Sequence, residues 1–218
     1  MKRDREVVHW IARLGAVEVR HVMERFGVCR SVAYDLVARC QRAGLLERLS
    51  LLHWEPALIR ATRDGIAFSE LGLGLASVTA GSWAHWTVCA DVALWLERTW
   101  GAEALMSIRE LVFAERLEER PIASAVLGEY PNGALKLHRP DLVVRNGERP
   151  TAVEVELTAK APRRLEYIVR AWRRCRRVEK TIYLSPTGLV SRAVDRAIRR
   201  AHAEQRVELV DLMRALER

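Results

Sequence analysis

The chain lacks the residue patterns that several common protein classes require. Its 218 residues include only four cysteines, Cys29, Cys40, Cys89 and Cys175, which form no CxxC pair and predict no structural zinc site. No apolar run approaches the ~20 residues of a membrane span, and the charged N-terminus has no apolar signal core. We therefore expect a cytoplasmic protein with reduced thiols.

Motifs of several enzyme classes are also missing. The sequence has no GxxxxGK[ST] phosphate loop, so no nucleotide cofactor is expected. It has no His-x-His pair beside a tyrosine nucleophile and no GxSxG. Its six histidines are scattered, and His138 is expected to be an ordinary strand histidine.

Basic residues exceed acidic ones by 36 to 28, which favours a polyanionic partner, most commonly nucleic acid. An ordinary protein from an arginine-rich proteome is the alternative explanation. The basic residues are most concentrated in residues 161–177, which hold seven arginines and one glutamate.

The first third of the chain has the pattern of a helix-turn-helix followed by a strand pair. The predicted helices cover residues 4–14, 17–26 and 31–43, with Gly27 in the turn and Ser31 as a helix cap. Strands at 45–52 and 57–61 form a predicted wing, and a helix follows at 62–71. We therefore predict a winged helix-turn-helix DNA-binding domain in residues 1–75.

The third predicted helix carries the side chains expected to contact double-stranded DNA. They lie on the face away from Val32, Leu36 and Cys40, and the sequence leaves open whether they contact bases or phosphates. The candidates are Arg30, Ser31, Tyr34 and Arg42. Trp54, at the predicted wing tip, is placed to contact a DNA backbone. A winged helix used for protein contact is the alternative.

A glycine-rich stretch at residues 72–81 separates this domain from a second one, residues 82–218. The second domain is predicted as an α/β mixed sheet with flanking helices. Its predicted helices and strands cover residues 83–99, 104–113, 153–158, 161–177, 180–184, 189–203 and 207–210. Residues 114–135 are left as an unassigned insertion.

Three acids come together around the Asn146-Gly147 hairpin signal. Glu154, Glu156 and Thr158 share one face of a strand whose other face is apolar. A four-residue loop at 146–149 would place Asp141 opposite Glu154, and a two-residue loop would place the pair diagonally. Either register predicts three acids at a spacing that a divalent cation and its waters bridge.

These residues resemble the motif of the PD-(D/E)xK nuclease superfamily, with Pro140-Asp141 on one strand and Glu154-Val155-Glu156 on the next. The chain also resembles the replication-relaxation family of actinobacterial plasmids and mobile elements, through His138-Arg-Pro-Asp141 and the segment from Val153 to Lys160. The resemblance implies a winged helix followed by a restriction-endonuclease-like domain.

The resemblance also implies roles for individual residues. Asp141 and Glu154 would bind Mg²⁺ or Mn²⁺, Glu156 would bind metal or act as general base, and Glu110 would be a further ligand. Glu156 stands where the superfamily has lysine, although some restriction enzymes with Glu-x-Glu are active. Lys160, at the start of the following helix, would reach back and supply the missing cation. The implied activity is a DNA endonuclease or nickase.

A non-catalytic DNA-binding regulator with a pseudo-nuclease domain is the alternative. Its acids would pair with Arg139, Arg163 or Arg164, and its second domain would be a scaffold, a homodimer surface or a second DNA contact. In either case the basic helix would bind phosphates. The arginines assigned to this contact are Arg163, Arg164, Arg170, Arg173 and Arg174. A protein-interaction module is the third hypothesis.

Overall fold

The computed structural model describes residues 2–217 and contains both helices and strands, which confirms the expected mixed α and β content. It divides into two compact units, one ending at Leu94 and one beginning at Trp95. Within the described residues, no helix combines the length and apolar character that crossing a membrane requires.

The first unit places three helices before an antiparallel strand pair. Its elements are α1 (Lys2–Leu14), β1 (Ala16–Val17), α2 (Val19–Phe26), α3 (Arg30–Arg42), β2 (Leu46–Leu49), β3 (Leu58–Ala61) and α4 (Arg63–Ser69). The short strand β1 replaces the predicted start of the second helix. It pairs with β3, which also pairs with β2, so the sheet order is β1-β3-β2.

The helix α3 differs in two details from the prediction. Cys29, rather than Ser31, is its N-terminal cap, so the helix begins at Arg30. Val32 was predicted to face inward but is 40% exposed. The buried stripe consists of Ala33, Leu36, Val37 and Cys40. One side of α3 therefore packs in the unit, and the rest of its surface is exposed.

Two positions in the first unit accept glycine but not a residue with a Cβ atom. Gly27 ends α2 with φ 60°, the left-handed conformation that glycine adopts without a Cβ clash. Gly65 lies on α4 where an added Cβ would be 2.0 Å from the carbonyl oxygen of Leu45. Replacement of Gly65 would therefore force α4 away from the chain that leads into β2.

The first unit extends past the predicted boundary into the helix α5 (Trp83–Trp100). Arg20 Nη2 donates to Asp91 Oδ2 at 2.9 Å, and Nε2 of the buried His21 lies 3.0 Å from Oδ1. Burial opposes ionisation of Asp91, but these two partners outweigh it and lower its pKa to about 2. The glycine-rich stretch marks a loop, whereas these contacts join the start of α5 to the first unit.

The second unit is built on a five-stranded mixed sheet of order β10-β9-β8-β7-β4. Its elements are β4 (Leu105–Ser107), α6 (Ile108–Leu117), β5 (Ala125–Glu129), β6 (Leu135–His138), β7 (Leu142–Val144), β8 (Thr151–Val155), α7 (Pro162–Arg174), β9 (Thr181–Ser185), α8 (Leu189–Ala201), β10 (Val207–Asp211) and α9 (Leu212–Leu216). The strands β8, β9 and β10 are parallel, and β7 is antiparallel to both of its neighbours. The strands β5 and β6 form a separate hairpin.

The region after β4 was predicted incorrectly. The strand ends at Ser107, whose hydroxyl accepts the N–H of Glu110 at 3.3 Å, while the Glu110 carboxylate accepts the N–H of Ser107 at 2.8 Å. This reciprocal capping starts α6, so Glu110 belongs to a helix and not to the predicted strand. The unassigned insertion contains the end of α6, all of β5 and the start of β6.

The basic helix α7 has the predicted amphipathic pattern. Leu165, Ile168, Val169 and Trp172 are buried in a core shared with Val143, Ala152 and Tyr183 of the sheet and with residues of α8. The helix ends at Arg174, three residues before the predicted end, and its five arginines are exposed. The apolar stripe therefore holds α7 over the face of β8 that carries Ala152.

Candidate functional site

The predicted acids lie around the end of β8, in the register of the four-residue loop. Leu142 pairs with Val153 and Val144 with Thr151, which places Asp141 opposite Glu154. Glu154 and Glu156 are 5% and 3% exposed, because the face they share with Ala152 lies beneath α7. Both faces of β8 are thus buried, although only its apolar face was predicted to be core.

The Glu154 carboxylate is held by two side chains. Its Oε1 accepts the indole N–H of Trp172 at 3.0 Å and lies 2.7 Å from His138 Nε2. The imidazole and indole rings also meet edge to face, with their centroids 5.9 Å apart. Since an unpaired buried carboxylate is costly, these contacts make Glu154 part of the core.

The pairing with Glu154 changes the titration of His138. Burial alone would lower the pKa of His138, but the charge and hydrogen bond of Glu154 outweigh burial and raise it. The protonated imidazole is then the form that the site favours. His138 was expected to have an ordinary partner, and that partner is one of the predicted catalytic acids.

Glu156 contacts Lys160, which lies in the segment between β8 and α7 and not at the start of the predicted helix. Burial raises the pKa of Glu156, and the ammonium group of Lys160 opposes that rise only partly. Lys160 therefore contacts Glu156, the residue that replaces the lysine of the PD-(D/E)xK motif. A buried carboxyl with a perturbed pKa is a common feature of functional sites.

Asp141 and Tyr183 complete the cluster. Asp141 Oδ2 accepts the backbone N–H of Val155 at 2.7 Å, which joins the segment before β7 to the end of β8. Tyr183 pairs with Glu154 in the parallel register, and burial raises its pKa well above the usual range. Among residues 2–217 its hydroxyl has no hydrogen-bond partner.

The three acids do not fit a divalent cation as they are arranged. Such an ion requires several oxygens converging at 2.0–2.6 Å from one point, so any two of them lie no more than about 5 Å apart. In the described part of the chain, Asp141, Glu154 and Glu156 do not bring one oxygen each within 4.8 Å of the other two. Each acid already has a partner on one oxygen. Asp141 contacts the backbone N–H of Val155, and Glu156 contacts Lys160. Glu154 contacts both His138 and Trp172.

The salt bridges proposed for an inactive site are different from those observed. Arg139 Nε donates to Oε2 of the buried Glu115 at 2.9 Å, and Glu115 also accepts the N–H of Ile122. Arg163 and Arg164 are exposed on α7 and do not pair with Glu154 or Glu156. Glu154 is paired with His138 and Glu156 with Lys160 instead.

The predicted DNA-contact residues of the first unit share an exposed surface of α3. Arg30, Ser31, Tyr34 and Arg42 are all exposed, and the guanidinium carbon of Arg30 lies 5.6 Å from the centroid of the Tyr34 ring. Trp54 is 90% exposed between β2 and β3. These residues are available to a partner.

The arginines of α7 differ in their contacts. Arg170 pairs with Glu166 at 2.6 Å, and Arg173 donates to the carbonyl of Ala201 at 2.7 Å. Arg163, Arg164 and Arg174 are exposed and, within residues 2–217, form no ion pair. The five arginines of the basic helix are therefore not equivalent as phosphate contacts.

Sequence reasoning missed the role of Trp172 and Tyr183 at the acids. Trp172 was assigned to the apolar stripe of α7, but a buried indole N–H needs an acceptor, and Glu154 is the acidic residue beneath it. Tyr183 lies on the strand next to β8. Tyr183 comes close to Glu154 because β9 lies beside β8 in the sheet, and the sequence did not specify that strand order.

No family model matches this chain, and neither a curated protein nor a solved structure does. The functions implied by the two family resemblances therefore stay proposals.

The pair of His138 and Glu154 predicts a pH-dependent stability. Because the folded-state pKa of His138 is raised, its contribution is fully present below the unfolded value of about 6.5 and is lost as pH rises through the folded value. We expect the free energy of unfolding in urea to fall more steeply between about pH 6 and pH 9 in the wild type than in His138→Gln.

The control for this experiment is His202→Asn. His202 is exposed and ends α8 with φ 50°, a conformation that asparagine tolerates. Its pH profile should match that of the wild type. If His138→Gln also has the wild-type profile, the ion pair does not contribute.

Proposed function

We propose that this protein binds double-stranded DNA through α3 and the β2–β3 hairpin, in the manner of a winged helix-turn-helix. The observation that carries the proposal is the exposed surface of α3, where Arg30 lies over Tyr34 and Ser31 and Arg42 extend the polar face. An exposed arginine held by an aromatic ring suits a guanine edge or a phosphate.

The elements around α3 support the same proposal. A strand pair follows α3 directly, and its connection carries Trp54 with 90% of its surface exposed. A side chain of this size is normally at least partly buried, so its exposure at the end of a hairpin suits contact with a partner. The membership in a mobile-element or plasmid replication-relaxation family is part of this proposal.

For the second unit we propose a non-catalytic role, as a pseudo-nuclease. Glu154 is occupied by His138 and Trp172, and the three acids do not converge on one point. The exposed arginines of α7 would provide a second contact with the DNA backbone. The polar cluster at β8 would then hold the segment before β7, the end of β8 and α7 together.

The test of DNA binding is the salt dependence of affinity for a labelled duplex, measured by fluorescence anisotropy with the full chain. Neutralised phosphates release counterions, so affinity should fall by about tenfold or more between about 50 and 200 mM salt. Absence of any salt-dependent binding would contradict the proposal and favour the protein-interaction hypothesis.

The proposed pseudo-nuclease makes a prediction about metal and cleavage. Titration of Mn²⁺ into the wild type and into Glu154→Gln/Glu156→Gln should give the same heat, because among the described residues Asp141, Glu154 and Glu156 do not converge on one point. Supercoiled plasmid should remain intact with Mg²⁺ or Mn²⁺. Cleavage by the wild type that Glu156→Gln loses, with DNA binding intact, would establish the nuclease function instead.

A further inference from the structure

A cavity of ≈ 380 Å³ in the second unit is lined by arginines alone. They come from separate parts of the chain: the loop before β8, the end of α7, the turn after α7 and the turn before β10. The lining residues are Arg149, Arg173, Arg174, Arg176 and Arg206. Five arginines around one cavity concentrate positive charge there, and a bound anion would offset that charge.

Two of these arginines are held in place by neutral groups. Arg206 Nη2 donates to the carbonyls of Cys175 and Val178 at 2.8 and 2.7 Å, and Arg173 Nη1 donates to the carbonyl of Ala201 at 2.7 Å. A carbonyl oxygen positions a guanidinium group but does not neutralise it. Both arginines therefore keep their charge in a preorganised position.

Helix termini explain only part of the cluster. Cations are stabilised near the carbonyls that end a helix, and Arg173 and Arg206 contact the ends of α8 and α7 in this way. Arg174 and Arg176 are exposed and, in the part of the chain that the structure describes, have no acidic partner. Among the described residues, the one carboxylate paired with a lining arginine is that of Glu179, which contacts Arg149.

We propose that this cavity binds a phosphate group that carries more than one negative charge, as in a phosphomonoester or a pyrophosphate. Guanidinium groups form paired hydrogen bonds with phosphate oxygens. Its volume lies within the usual range for small-ligand pockets, about 300–1,000 Å³. A single-charged diester on the convex backbone of a duplex suits such a concave site less well than a terminal phosphate does.

This site differs from the surface of α3 and from the acids around β8, although Arg173 and Arg174 also belong to the helix proposed to contact the DNA backbone. Lys160, which contacts Glu156, precedes α7, whereas Arg173 and Arg174 end that helix. At 1.5 Å per residue, the 13 residues of α7 separate the two ends by about 18 Å. The proposal does not depend on DNA binding by α3, and Arg30→Ala should leave phosphate binding unchanged.

The test is isothermal titration of inorganic pyrophosphate into the full chain at neutral pH and low salt. The variant Arg174→Ala/Arg176→Ala removes two exposed lining arginines whose side chains form no ion pair with any residue in the range 2–217. The control Arg163→Ala/Arg164→Ala removes the same charge from the other end of α7. We expect the first variant to lose about tenfold or more in affinity and the control to lose less than about threefold.

A second arm identifies the source of the phosphate. A single strand with a 5′-phosphate should compete with pyrophosphate better than its 5′-hydroxyl counterpart if the ligand is a nucleic-acid end. Equal competition by the two strands, with pyrophosphate still bound at the cavity, would assign a free oligophosphate. Absence of saturable pyrophosphate binding, or an equal loss in both double variants, would overturn the proposal.

Discussion

Replacement of Arg30 by alanine is expected to weaken binding to duplex DNA by roughly tenfold to hundredfold, the value of one good arginine contact with a base or a phosphate. Arg30 is exposed at the start of α3 and lies over Tyr34, so its removal leaves the buried stripe of the helix unchanged. The measurement is fluorescence anisotropy with the same duplex at several salt concentrations.

The matched control is Arg5→Ala, which removes one positive charge from α1 of the same unit. Arg5 pairs with Glu70 at 2.6 Å, and we assign it no DNA contact. Arg30→Lys separates two modes of binding, because lysine replaces a phosphate contact better than a bidentate contact with guanine. Equal affinities of Arg30→Ala and Arg5→Ala would remove α3 from the proposed interface.

Replacement of Glu154 by alanine is expected to reduce the free energy of unfolding by about 2–4 kcal/mol, because it leaves buried donors unsatisfied. The indole N–H of Trp172 and the imidazole of His138 both depend on the same carboxylate oxygen. Glu154→Gln should cost less, since the amide oxygen still accepts the indole N–H. Urea unfolding followed by circular dichroism measures both variants.

A double-mutant cycle with Trp172→Phe attributes this loss to a particular contact. If the indole and the carboxylate are coupled, the two changes together should cost less than the sum of the single changes. A Glu154→Ala variant within about 0.5 kcal/mol of the wild type would show that the buried network does not hold the fold. Glu154 would then have a role other than stabilising the fold.

Local pattern was sufficient for much of the fold. The apolar spacing of Leu165, Ile168, Val169 and Trp172 predicted the buried side of α7, and the alternation around Glu154 predicted a strand. It failed for Glu110, where a serine three residues before a glutamate starts a helix inside an apolar run. The capping contact decided that segment against its strand-like composition.

The site was only partly predictable for a related reason. The period of a strand places Glu154 and Glu156 on one face, and the four-residue loop at 146–149 places Asp141 opposite Glu154. Whether the acids converge depends on the rotamers that their neighbours impose. His138 and Trp172 hold Glu154, and Lys160 holds Glu156, which a pattern of residue types does not specify.

The sequence by itself determined most of the helices and strands, the buried stripe of α7 and the face that Glu154 and Glu156 share, because these follow from periodicities of 3.6 and 2 residues along a local segment. The tertiary structure alone decided that α5 begins within the first unit, that α7 covers the acids, and that five arginines line one cavity. Arg149, Arg174 and Arg206 are far apart along the chain, and only strand order and helix packing bring them together.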